Sequence, residues 1–206
     1  MRKKKLNKKK LKWFRGFIQG KTRIVLAWFF SILLGWLARD YPTWPGVLLC
    51  FLGATLRFWA SGYLRKDTRP AVGGPYAYVR NPLYLGTYLM AVGIVLSLRH
   101  GWLLGGVTVL FAVIYHFIIL DEEVKLQSIF KNSYFHYCQT VPRFFPNFWS
   151  PFFVAHRKAL LEVNPETENH VFSWVLAMKN KAYEAYAAFL GLVVFVYLAA
   201  YFWKSV

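Results

Sequence analysis

"GWLLGGVTVLFAVIYHFIILDEE", Gly101 to Glu123, decides the fold class. Its first twenty residues carry no formal charge, and the run then ends on Asp121-Glu122-Glu123. A bilayer core of about 30 Å needs roughly 20 mostly apolar residues per helix, so this stretch reads as a membrane span with acids at its exit. Comparable windows run from Arg23 to Ala38, Trp44 to Ala60, Pro82 to Leu98 and Tyr186 to Trp203. Together they predict an all-α, polytopic transmembrane helix bundle of about five spans. The first window is the shortest, and the second carries Arg57.

Composition agrees. The 206 residues are 57% hydrophobic and 20% aromatic, well above the usual share for a water-soluble domain. The net charge of +17 is uneven, because 11 of the 26 basic residues lie between Arg2 and Arg23. A Lys-rich arm can bind nucleic acid, but this one leads straight into an apolar window. Anionic membrane lipids and the positive-inside rule account for it more simply, with no nucleic acid partner. No small-residue cleavage site follows the apolar stretch, so a cleaved signal peptide is not expected. Cys50 and Cys138 are too few and too differently placed for a disulfide framework or a cysteine metal site.

With the arm cytoplasmic, the region from Ser61 to Asn81 is cytoplasmic too, and it carries Arg65, Lys66, Arg69 and Arg80 against Asp67. A tight link at Arg99-His100-Gly101 then returns everything from Asp121 to Lys181 to the same face. The expected organisation is a basic arm (1–23), a membrane core (24–146), a cytoplasmic loop (147–185) and a last transmembrane helix (186–206). Within the second polar region, Leu126, Ile129, Phe130, Tyr134 and Tyr137 recur at helical spacing. They predict a cytoplasmic interfacial amphipathic helix with aromatics at headgroup depth. "VPRFFP", Val141 to Pro146, ends it, because two close prolines cannot continue a helix.

The first polar region contains "GGPYAYVRNPLYLG", Gly73 to Gly86. Asn81-Pro82 is a helix start, with Asn at the cap and Pro in the first turn. As a plain connector it is over-specified. Helix N-termini attract carboxylates and phosphates, Arg80 adds a forked cation, and Gly73 and Gly74 allow close backbone approach. Glu122 and Glu123 supply the opposite charge, which is costly at the hydrocarbon edge unless paired, hydrated or functional. Tyr76 and Tyr84 add aromatic walls that suit a cation. These groups suit a ligand of both signs, such as S-adenosylmethionine. Arg57 reads first as an arginine snorkelling to the interface, and second as a cation reaching the same face as Arg80 and Glu122. The five histidines are scattered, and none has metal-ligand spacing with another.

These residues, with Gly74-Pro75-Tyr76, Arg80-Asn81-Pro82-Leu83-Tyr84-Leu85-Gly86, Glu122-Glu123 and Val141-Pro142 in order, resemble the isoprenylcysteine carboxyl methyltransferase and phospholipid methyltransferase superfamily. The resemblance covers about Leu56 to Pro146 and implies an integral membrane methyltransferase that uses S-adenosylmethionine on a lipid or lipid-modified acceptor. It implies cofactor contacts from Tyr76, Asn81, Pro82, Leu83, Tyr84 and Glu122, with Thr68, Arg69, Pro70 and Ala71 beside them. Arg80, Glu122 and Glu123 form the expected catalytic set. Asn81 stands at the family's histidine. Ile118 stands where the prenylcysteine enzymes carry an acceptor-binding arginine, which leaves the acceptor open between carboxylate and amine. Two rival readings are an NADPH-dependent membrane reductase of sterol-reductase type and a non-catalytic membrane adaptor.

Overall fold

A computed structural model describes residues 32–65, 70–146 and 171–206. The basic arm, most of the first expected span, and Thr68 and Arg69 lie outside the described residues. Among those described, every regular element is helical: α1 (Trp44–Ser61), a single 3-10 turn (Gly74–Ala77), α2 (Pro82–Ser97), α3 (Trp102–Thr140), α4 (Trp174–Lys179) and α5 (Tyr183–Ser205). A short helical stretch also covers residues 32–37. The segments Trp102–Asn132 and Tyr183–Ser205 are long and apolar enough to cross a membrane, while Pro82–Ser97 is apolar but shorter.

The chain divides into two compact units, residues 42–194 and a smaller one built from residues 1–41 and 195–206. In the larger unit, α1 and α2 pack through glycine. A Cβ at Gly53 would lie 2.6 Å from the Gly86 carbonyl oxygen, and one at Gly93 would lie 2.5 Å from the Cys50 nitrogen. Gly46 meets Gly93 and Ser97 just as closely. Between lipid tails there is little hydrophobic drive for helices to associate, so close backbone approach and its dispersion contacts hold them together. Cys50, Ala54 and Met90 continue this seam and meet Ala185, with Tyr186 and Phe189 packed against them. The Tyr186 hydroxyl reaches Thr55 Oγ1 at 3.2 Å.

Helix α3 is 39 residues long with one interruption, Lys131, at φ 46° and ψ −119°. At 1.5 Å per residue the 31 residues of Trp102–Asn132 span about 46 Å, so a crossing helix of this length would project its last turns beyond a bilayer core. There the expected interfacial helix differs from its reading. Tyr134 and Tyr137 are buried against Val72 and Val141, with Leu126 and Phe130 packed on them, while Ile129 is exposed. The aromatic face is covered by the chain's own loop and not by lipid headgroups, since Tyr137 donates to the Tyr76 carbonyl at 2.7 Å. Helix α3 ends at Thr140, as the prolines require.

The expected loop 147–185 is also revised at its end. Ser173 caps α4 by accepting from the Leu176 amide at 3.3 Å, and α5 begins at Tyr183. Asn180 donates to the Ser61 and Leu64 carbonyls at 2.9 and 2.7 Å, satisfying acceptors left open where α1 stops. Phe172 fills the space over Gly62, where a Cβ would collide with its ring. In the smaller unit, Trp203 Nε1 donates to the Gly35 carbonyl at 2.9 Å and Arg39 lies 4.8 Å over the Trp203 ring. Lys204 pairs with Asp40 at 3.6 Å.

Candidate active site

The turn after α1 and the start of α2 face the later part of α3 across a cavity of about 370 Å³, within the usual size range of small-molecule clefts. Four groups of residues line it. Leu64, Arg65, Pro70, Ala71, Tyr76 and Arg80 come from the connection after α1, and Asn81, Pro82, Leu83 and Tyr84 come from the start of α2. Glu122, Lys125, Leu126, Phe130, Tyr134 and Tyr137 come from α3. Arg57, in the last turns of α1, completes the wall. Every expected cofactor contact among the described residues therefore lies on one surface.

Local sequence explains the arrangement. Gly74 takes φ +55° and packs under Tyr63, whose ring a Cβ would approach to 2.5 Å. Its freedom serves the turn and this contact, so at Gly74 the expected close approach to a ligand gives way to packing. The 3-10 turn that follows carries Tyr76 inward, and Arg80 is fixed by its amide, which donates to the Pro142 carbonyl at 2.9 Å. Asn81 sits at the cap position of α2, but its side chain does not cap. It donates from Nδ2 to the Arg143 carbonyl at 3.0 Å, stitching the α2 start to the segment after α3. The first amides of α2 keep no intrahelical partner, and Pro82 has none to lose.

The two glutamates separate. Glu122 lines the cavity and accepts from the Tyr84 hydroxyl at 2.8 Å. Glu123 turns away from the lining and is almost buried. It accepts from Arg143 Nε at 3.1 Å and Nη2 at 2.8 Å, and pairs with Arg80 Nη1 at 2.9 Å. Consecutive helix residues point about 100° apart, so one faces ligand space and the other ties α3 to both flanking segments. Glu123 thus stands as a brace outside the cavity, where a catalytic group was expected. Arg57 also departs from its first reading. Its Nη1 donates to Thr87 Oγ1 and to the Leu83 carbonyl, the latter at 3.4 Å, and the side chain lines the cavity. Sequence reasoning had no signal for Lys125 or Arg65 as lining groups beyond their charge.

Electrostatically, the described lining carries Arg57, Arg65, Arg80 and Lys125 against Glu122. Burial raises the Tyr76 phenol well above its ordinary value, with the charges of Glu122 and Tyr84 adding to the effect, so it stays neutral at any working pH. Its hydroxyl is buried without a hydrogen-bond partner, as are Arg65 Nε and Arg80 Nε. Orphaned donors of this kind are costly unless a ligand meets them. S-adenosylmethionine fits the donor set: a carboxylate for the cationic end, an ammonium for Glu122, and flat surfaces for the tyrosines and Phe130. Among the described residues no cluster of three or more His, Cys, Asp or Glu side chains could hold a metal ion.

Residues 41–133 match the sequence model of the phospholipid methyltransferase family. The cobalt-zinc-cadmium resistance protein CzcN of Cupriavidus metallidurans is 30% identical over 136 residues, covering 62% of this chain and 62% of its own length. The nickel-cobalt-cadmium resistance protein NccN of Alcaligenes xylosoxydans xylosoxydans is 28% identical over 136 residues, covering 62% of this chain and 63% of its own. The chain thus spans less than two thirds of either relative. No solved structure matches it.

Proposed function

We propose, from the match of residues 41–133 to the phospholipid methyltransferase model, that the protein is a multi-span membrane methyltransferase that uses S-adenosylmethionine to methylate a lipid or lipid-modified acceptor. The observation that carries this reading is the shared cavity. Tyr76, Asn81 to Tyr84 and Glu122, distant in sequence, line one space together with the buried, unpartnered Tyr76 hydroxyl. The cofactor's sulfonium supplies an activated methyl group when bound. The chain's part is then alignment and exclusion of water. The α2 amides with Arg65 and Arg80 would hold the carboxylate, Glu122, set by Tyr84, would meet the ammonium, and Leu126, Phe130 and Tyr134 would exclude water. A carboxylate acceptor needs no base, whereas an ammonium must first lose a proton, and Glu122 is the one acid among the described lining residues to receive it.

Five spans, with the N-terminus and the cavity cytoplasmic, accommodate this site best, since the positive-inside bias and the pairing of both polar regions at one end of the bundle agree. The basic arm then holds anionic lipids. The names of the two relatives extend the reading to the cell: loss of the protein is expected to sensitise its host to cobalt, zinc, nickel or cadmium.

The test is isothermal titration of purified full-length protein with S-adenosylmethionine and NADPH, followed by radiolabelled methyl transfer in membranes. Micromolar S-adenosylmethionine binding and label in a lipid fraction are expected. Binding of NADPH alone would overturn the reading in favour of a reductase. Cofactor binding without label in any lipid or protein fraction would make the protein a non-catalytic adaptor.

A further inference from the structure

Arg57 is an ionised group on an apolar helix, and such groups are costly unless something opposes their charge. Among the described residues nothing does. The Arg57 fork rests on two neutral acceptors, the Thr87 hydroxyl and the Leu83 carbonyl, both through Nη1. Ion pairs of the larger unit join Arg80 and Arg143 to Glu123, and Lys181 to Glu184, and none of these includes Arg57. Glu122, the acid in the lining, accepts from Tyr84. A guanidinium has five N–H donors, so most of the fork remains for whatever shares the cavity with it.

The position is built. A Cβ at Gly86 would lie 2.6 Å from Arg57 Cγ, so the glycine makes room for the arginine stem and Thr87, one residue on, holds its head. Arg57 lies one turn inside the end of α1 (Trp44–Ser61), on a helix whose Leu48, Phe51 and Leu52 are exposed. The other lining cations come from elsewhere: Arg65 and Arg80 from the connection beyond the helix ends, and Lys125 from α3. Arg57 is thus the cation that the α1–α2 helix pair brings to the cavity.

S-adenosylmethionine brings one carboxylate against an ammonium and a sulfonium, a net charge of +1. Its carboxylate suits the loop end, but as a whole it adds positive charge to a lining that is already positive. Taking the methyltransferase reading as given, we propose that Arg57, held by Thr87, binds an anionic group, a phosphate or carboxylate, on the lipid acceptor. The acceptor's charge then offsets both the arginine and the cofactor, and the methyl-accepting atom is placed relative to that anchor.

The test uses full-length protein in neutral maltoside micelles, titrated calorimetrically with dioctanoyl phosphatidate, decanoate and glycerol 3-phosphate, and separately with S-adenosylmethionine. Saturable binding of one of the two lipid anions is expected to weaken about tenfold or more in Arg57→Gln, while S-adenosylmethionine affinity stays within about twofold. Arg57→Lys keeps the charge without the fork and restores part of the loss. Thr87→Val, which leaves the arginine in place, weakens lipid-anion binding a few-fold. Equal lipid-anion binding by wild type and Arg57→Gln would overturn the proposal. Glycerol 3-phosphate binding as tightly as phosphatidate would overturn its lipid part and assign the place to a soluble anion. Arg57-dependent phosphatidate binding without any S-adenosylmethionine binding would keep the anion place and overturn the methyltransferase reading.

Discussion

Glu122 and Glu123 are identical side chains one residue apart with opposite work, and substitution separates them. Glu122→Gln removes the charge, and Tyr84→Phe the donor, of the 2.8 Å contact in the cavity, so each is expected to weaken S-adenosylmethionine about tenfold in calorimetry with little change in thermal midpoint. Glu123→Gln leaves Arg80 and Arg143 without their carboxylate. Removing one partner of a nearly buried pair costs about 3 kcal/mol, so its signature is a lower unfolding midpoint. Equal midpoints for the two glutamate variants would refute the division. Tyr137 adds a pH dependence. Burial raises its phenol well above the ordinary value of about 10, with Tyr134 and Tyr76 adding to the shift. The folded chain then holds a proton that the unfolded chain releases, so this stability is intact below about pH 10 and is lost as pH rises above it. Tyr137→Phe is expected to cost about 1 kcal/mol at pH 7 through its lost bond to the Tyr76 carbonyl, and to flatten the fall in midpoint between about pH 9.5 and 11. The residue types of the site were legible from local chemistry: a tyrosine turn, a capped helix start, an acid pair. Their partners were not, because Asn81 and Arg143 are 62 residues apart and no local pattern foretells that contact. The split of the acid pair is compatible with helix geometry, since adjacent residues point about 100° apart, but no local pattern says which of the two faces the cavity.

Between elements, glycines carry the contrast. Gly53 and Gly86 sit where α1 and α2 backbones nearly touch, whereas a Cβ at Gly105 or Gly106 of α3 would find nothing within 4 Å. Gly86→Ala must push Arg57 and the Gly53 carbonyl aside, and overpacking of this kind costs about 1–3 kcal/mol. Gly105→Ala meets no atom and removes backbone freedom, so it is expected to leave stability unchanged or slightly higher. Thermal unfolding in one detergent compares them directly, and equal destabilisation by both would contradict the packing described. The seam was unreadable as such in the sequence: the chain shows fourteen glycines, and only the pairing of two helices shows which are contacts. Helix α3 offers the converse test. Lys131 occupies φ 46° and ψ −119°, a region that suits glycine and strains a side chain with a Cβ. Lys131→Gly is therefore expected to raise the unfolding midpoint, by the equivalent of about 1 kcal/mol. A continuous apolar-then-amphipathic pattern announced the length of α3, but nothing in it announced this kink.

At the scale of the molecule, the windows Gly101 to Leu120 and Tyr186 to Trp203 match helices long and apolar enough to cross a membrane, and they were legible because a bilayer imposes a length on each span. What charge alone could not show is that the two polar regions build one site, which depends on contacts between Tyr137 and Tyr76 and between Arg80 and Pro142. Those contacts make the topology testable within the larger unit. Gly101 and Gln139 lie near opposite ends of α3 (Trp102–Thr140), and both are exposed. If the 31-residue apolar stretch of α3, about 46 Å long, crosses the bilayer, the two positions lie on opposite faces. In a Cys138→Ser background, where Cys50 is buried, Gly101→Cys is expected to react with an impermeant maleimide from outside intact cells, and Gln139→Cys only after the cytoplasmic face is opened. Labelling of both from the same side would mean that α3 does not cross, and the cavity would then face the lipid surface from a helix lying along it. Labelling in the reverse sense would keep the span but move the cavity, and with it the cofactor supply, to the outer face. Cellular S-adenosylmethionine is cytoplasmic, so that result would remove the methyltransferase reading along with the orientation.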